Sequence, residues 1–145
     1  MKRDVYSGWL KLNGREDRET LLAANNYAST LLSLKRFKEG KTLLRRITPV
    51  ARRVFGESDE LMLKMRLAYA GSIYFDAAAT LDDLHEAVTT LEETERIARR
   101  VFGGAHPLTT VIERQLRASR ATLSARDSDV SSITEAFAAM KPSPR

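Results

Sequence analysis

Four side chains in this sequence suit the holding of another molecule: the adjacent carboxamides Asn25 and Asn26, and the cations Lys64 and Arg114. A carboxamide both donates and accepts hydrogen bonds, so it can match the N–H and C=O groups of an extended peptide, while ammonium and guanidinium groups meet carboxylates. Tyr74 adds an aromatic ring with a polar tip. This is the chemistry of recognition rather than of bond-breaking.

Residues suited to catalysis do not assemble. His85 and His106 are the two histidines, they lie far apart in the chain, and neither belongs to a His-Glu-x-x-His or similar ligand spacing. There is no cysteine, which removes thiolate metal sites, cysteine nucleophiles and disulfides, and is compatible with a reducing compartment. Gly103 and Gly104 lack the spaced glycine and following lysine of a phosphate loop, and no nucleophile elbow occurs. The acid pairs Asp82/Asp83 and Glu92/Glu93 most simply cap and solvate a helix. The expectation is no enzyme, no catalytic residue, no metal and no cofactor.

Charge offers a competing chemistry. The net charge of +5 is unevenly placed: residues 1–56 carry 13 Lys/Arg against 5 Asp/Glu, a balance of +8, and residues 57–145 carry 11 against 14, a balance of −3. Lys35, Arg36, Lys38, Lys41, Arg45, Arg46, Arg52 and Arg53 form a basic stretch that gives a second reading, binding of nucleic acid or another acidic surface by the first half. Those cations spread around a helix and lack interleaved exposed aromatics, which places this reading behind protein binding. No stretch approaches the roughly 18 apolar residues of a membrane span, and Asp4, Ser7 and Lys11 interrupt any signal-peptide core. The expected location is cytoplasmic, without membrane contact.

The elements that must position these residues are indexed by a repeated hexad. Ala51, Arg52, Arg53, Val54, Phe55 and Gly56 recur unchanged as Ala98, Arg99, Arg100, Val101, Phe102 and Gly103, and Leu44/Leu91, Val50/Ile97 and Leu61/Leu108 match at the same offset of 47. Gly14 and Gly56 are 42 apart, as are Tyr27 and Tyr69, so five residues are inserted between Phe75 and Leu84. Apolar residues at helical spacing give a helix ending at Gly14, with Asp4 as its cap and Val5, Trp9, Leu10 and Leu12 as its apolar side. Next come a helix through Leu21, Ala24, Tyr27, Ala28, Leu31 and Leu34, then one from Phe37 to Phe55 that should kink or break before Pro49. A helix capped by Ser58 or Asp59 follows, then one from about Asp83 to Phe102, and one entered through His106 and Pro107 that carries Leu108, Ile112, Leu116 and Leu123.

Helix, short turn and helix on a 42-residue period resemble a tetratricopeptide array, and the long period is similar to the kinesin light chain type. The residues carrying the resemblance are Glu19, Thr20, Leu21, Asn25, Asn26, Tyr27 and Ala28, with His106, Pro107 and Thr109 in the third repeat. The second repeat has Leu67 and Ala68 in place of the paired asparagines, and the third has Arg114 and Gln115. The resemblance implies an all-α fold, a right-handed solenoid of antiparallel helix pairs, with about two full repeats and half repeats at the ends. It does not imply association with kinesin heavy chain.

The resemblance also implies that the first helix of each pair lines a concave groove that binds a partner peptide or helix. Position in the repeat then gives Asn25, Asn26, Ser29, Lys64, Tyr74 and Arg114 as the partner-binding residues, in a protein-binding scaffold. Residues 4–125 are expected to form the repeat domain, and residues 126–145 a polar linker, a short helix over 133–140 and a disordered tail. Open apolar ends around Trp9 and Leu116 are expected to invite self-association, and Phe55 and Phe102 to be buried between hairpins.

Overall fold

The computed structural model describes residues 2–14 and 16–140, residues 11–13 by their backbone alone. The side chain of Leu12 and the expected tail at 141–145 lie outside the described residues. Every regular element among those described is a helix: α1 (Lys2–Asn13), α2 (Arg18–Ser33), α3 (Phe37–Phe55), α4 (Glu60–Tyr74), α5 (Leu81–Phe102) and α6 (Pro107–Ala139). The chain is all-α. No helix among the described residues is long and apolar enough to cross a membrane.

Local chemistry explains most of the boundaries. Asp17 accepts from the backbone N–H groups of Glu19 and Thr20 and so starts α2, and Asp59, one of the two expected caps, accepts from Leu61 to start α4. Thr80 and Asp83 bond each other's backbone N–H in a capping box, which starts α5 two residues before the expected Asp83. His106 caps α6 by accepting the Leu108 N–H on Nδ1, with Pro107 in the first turn. Gly56 and Gly103 end α3 and α5 at φ of 80° and 87°, a conformation that a Cβ disfavours.

Several expectations need correction. α1 begins at Lys2, so Asp4 lies inside its first turn rather than at its cap, where its charge still suits the helix dipole. α3 is not broken at Pro49: it runs unbroken to Phe55 with the proline exposed, because its buried face of Leu44, Ile47, Val50 and Ala51 spans the site on both sides. Leu34 is exposed beyond the end of α2. Residues 126–132 are not a linker, since α6 is a single helix of 33 residues. Past Pro107 it holds no proline or glycine, and its Ser and Asp residues each cost well under about 1 kcal/mol in a helix.

Each helix packs on the next in sequence, and α2 also touches α4, as α4 touches α6. Two apolar clusters result. One joins Leu21, Ala24 and Ala28 of α2 to Leu44, Ile47, Val50 and Ala51 of α3 and to Met62 and Met65 of α4. The other joins Leu63, Ala70 and Ile73 of α4 to Leu84, Ala87, Leu91 and Ala98 of α5 and to Leu108, Ile112 and Leu116 of α6. α4 feeds both clusters, which is why its apolar residues surround it instead of forming one stripe.

Within the repeated hexad the fully buried residue is the alanine, Ala51 or Ala98. Phe55 and Phe102 are only half-buried, contrary to expectation, because each lies at a helix end against the start of another helix. The Arg18 guanidinium sits 4.7 Å from the Phe55 ring centroid, and the His106 ring stacks 4.6 Å from that of Phe102. The four arginines of the hexads are exposed, as their type and position predict.

Candidate functional site

α2 and α4 lie side by side with α6 beyond, and between them runs an open groove of about 450 Å³. Asn25, Asn26, Ser29 and Leu32 of α2 form one wall. Lys64, Leu67, Ala68 and Gly71 of α4 form the other, with Phe75 just past its end and Gln115 of α6 closing the far side. The i, i+4 spacings of Asn25 to Ser29 and of Lys64 to Ala68 set these residues on the helix faces turned toward the groove.

Asn25 is the residue that stands out chemically. It is 7% exposed, and its side-chain oxygen Oδ1 has no hydrogen-bond partner among the described residues. A buried acceptor left unbonded costs about 1–3 kcal/mol. Asn26, its neighbour, is exposed at the groove's edge. Lys64 is half-exposed and holds Glu60 at 3.3 Å. Beyond Lys64 the depression continues past Leu22, Glu60 and Arg18, where Arg18 approaches Asp59 at 3.7 Å.

Four of the six residues expected to bind a partner, Asn25, Asn26, Ser29 and Lys64, therefore line one groove. The other two do not line it. The Tyr74 hydroxyl donates to Gln115 Oε1, and its ring packs 4.1 Å from Phe75, so Tyr74 braces the groove's far wall from behind. Burial pushes the Tyr74 hydroxyl's pKa upward, which keeps it a donor. Arg114 is exposed on α6 outside the groove. Gln115 lines the groove although its place in the apolar spacing of α6 reads as packing. Its alignment with Asn26, one position after Arg114, is the signal that marks it.

The basic stretch has a different character. Arg36 pairs with Glu39 at 2.6 Å, Lys41 with Asp83 at 3.9 Å, Arg45 with Glu86 at 3.7 Å, Arg52 with Glu57 at 3.6 Å and Arg53 with Glu16 at 2.8 Å. Five of its eight cations thus already face carboxylates. Arg45 also donates to the Tyr69 hydroxyl, which donates in turn to Glu86 at 2.7 Å, linking α3, α4 and α5. Burial, and then the bond to Glu86, push the Tyr69 pKa up against the opposing pull of Arg45. The Asp83 carboxyl is held below its ordinary range, chiefly by the Thr80 N–H and further by the Thr80 hydroxyl and Lys41. Among the described residues no group of three or more His, Asp or Glu is placed to hold a metal ion.

Compared with protein families, curated proteins and solved structures, the chain matches none. Its functional reading rests on its own residues.

Proposed function

We propose that the chain is a tetratricopeptide-like solenoid of helix pairs that binds an extended or helical segment of another protein in the groove along α2, α4 and α6. The array reading is supported by the packing of each helix on its successor, by the contacts of α2 with α4 and of α4 with α6, and by glycine stops 42 and 47 residues apart.

The observation that carries the binding reading is the buried, unbonded Oδ1 of Asn25 in the wall of an open groove. Oδ1 is closed to solvent in the free chain, so a peptide N–H reaches it once the Asn25 side chain turns toward the groove, and the bond then made offsets the standing cost of the buried acceptor. Asn26, Ser29 and Gln115 supply further neutral donors and acceptors, Leu32, Leu67 and Phe75 supply apolar contact, and Lys64 takes a carboxylate by releasing Glu60. Tyr74 acts by holding Gln115. The alternative, nucleic acid or an acidic surface on α3, has weaker support because most of its cations are already paired.

Selection from a random-peptide display library tests the reading directly. Recovered peptides should lose at least tenfold in affinity with Asn25→Ala and Asn26→Ala, and keep it with Arg45→Glu and Arg46→Glu. The reverse pattern, with affinity falling steeply as salt rises, moves the site to the basic face.

A further inference from the structure

α6 has 33 residues and its packing partner α5 has 22, so α6 runs about 16 Å beyond it at about 1.5 Å per residue. One anchor is Arg126, which donates to the carbonyls of Ala79 and Ala77 at 2.5 and 2.6 Å. Every described residue beyond it is exposed. Among the residues that hold α6 to the molecule up to that anchor, Leu116, Ser119, Leu123 and Arg126 are spaced 3, 4 and 3. The same alternation continues without interruption as Val130, Ile133, Phe137 and Met140, of which Val130 is 46%, Ile133 69% and Met140 80% exposed. This strict 3-4 spacing is the a/d seam of a coiled coil. One seam therefore passes from an intramolecular interface into solvent.

We propose that the exposed part of this seam pairs with the same part of a second copy of the chain, antiparallel, with Val130 facing Met140 and Ile133 facing Phe137 about a two-fold axis. Such a seam is self-complementary, as an isologous interface requires. Orientation follows from what occupies the seam before residue 130: α5 and the loop at residues 77–79 lie on it, so a parallel partner would drive its own α5 into this one. Antiparallel pairing sends the two bodies apart. Charge separates the two orientations, since residues 127–140 contain Asp127, Asp129 and Glu135 and no Lys or Arg, and the repulsion between copies is least when the aspartates lie apart. Parallel pairing sets the aspartates of both copies side by side, and antiparallel pairing puts them at opposite ends, while Glu135 faces away from the seam. Thr134 and Ala136 flank the centre, both uncharged and small enough for close approach. Four side chains per copy give an interface below about 1,200 Å², the class of transient associations. The dimer should form and dissociate with concentration.

Because the chain has no cysteine, single introduced cysteines report the pairing cleanly. A mixture of the Val130→Cys and Met140→Cys proteins should form a disulfide-linked heterodimer on mild oxidation. Neither variant should cross-link to itself, since identical positions lie about 15 Å apart along an antiparallel seam, beyond the roughly 7 Å that a disulfide spans between Cα atoms. Sedimentation equilibrium should show a monomer–dimer equilibrium that Ile133→Asp abolishes with the helical circular dichroism unchanged. A monomer at every soluble concentration, a dimer that persists in Ile133→Asp, or self-cross-linking of either cysteine variant would overturn the proposal.

Discussion

The guanidinium of Arg126 holds the carbonyl oxygen of Ala79 at 2.5 Å, and through the same side chain that of Ala77 at 2.6 Å. α6 is thus tied to the loop that carries the five inserted residues, from a position one residue past the expected end of the repeat domain. Charge-assisted bonds of this kind contribute about 1.5–3 kcal/mol each, less here because the group is partly exposed. Arg126→Ala should destabilise the chain by about 2 kcal/mol in urea unfolding and open residues 76–80 to proteolysis. Unchanged cleavage would mean that the loop is held by its own turn alone.

The hexad makes a prediction about size. Ala51 and Ala98 are fully buried between helices, and Phe55 and Phe102 only half so. Ala98→Leu should cost about 1–3 kcal/mol by overpacking. Phe102→Ala should cost about 1–2 kcal/mol, less than a core phenylalanine, because part of the ring is already in water. Thermal unfolding of both variants checks the order.

Stability should fall at both ends of the pH range for nameable reasons. Asp83 ionises at lower pH in the folded chain than in the unfolded one. Its contribution is therefore complete above the ordinary aspartate value near 4 and is lost as pH falls through the folded value. Tyr69 and Tyr74 hold their protons more tightly when folded. Their contribution is complete below the ordinary tyrosine value near 10 and disappears as pH rises through the folded values. Denaturant midpoints measured across pH should show both losses. Asp83→Asn should flatten the acid limb and Tyr69→Phe the alkaline one.

Two groove substitutions separate folding from binding. Asn25→Leu keeps the volume and removes the unbonded acceptor, so stability should hold or rise by up to about 1 kcal/mol while peptide affinity falls. A loss beyond about 1 kcal/mol would show that the carboxamide is satisfied within the chain. Gly71→Ala adds a Cβ whose nearest neighbours are Phe75 ring carbons at 3.6 Å, ordinary contact. It should stabilise α4 by about 0.5–1 kcal/mol through helix propensity.

Much of the fold was legible because its signals are local. The glycines at 14, 56 and 103, the cap Asp59, and the apolar spacing of α2, α3 and α5 each act within a few residues. What was not legible depends on distance. The continuity of α3 through Pro49 is decided by its buried face, and the length of α6 past residue 125 by the absence of any breaker and by a bond 47 residues away. Leu116 was read as an exposed end but is buried against α5, and the exposed apolar surface lies further along at Val130, Ile133 and Met140. In the groove, repeat position located Asn25, Asn26, Ser29 and Lys64. It could not show that the Tyr74 hydroxyl is engaged by Gln115, nor that Arg114 stands outside.

A partner segment bound in the groove along α2, α4 and α6 would touch the side chains of Asn25, Asn26 and Gln115 at once. The most direct test is a two-dimensional NMR titration of the labelled chain with a selected peptide, following the side-chain amide signals of Asn25, Asn26 and Gln115. These three should shift together and saturate with the backbone amides of Lys64, Leu67 and Gly71, at both low and high salt. Shifts confined to α3 around Arg45 and Arg46 that vanish at high salt, with the Asn25 signals unmoved, would contradict binding in the groove.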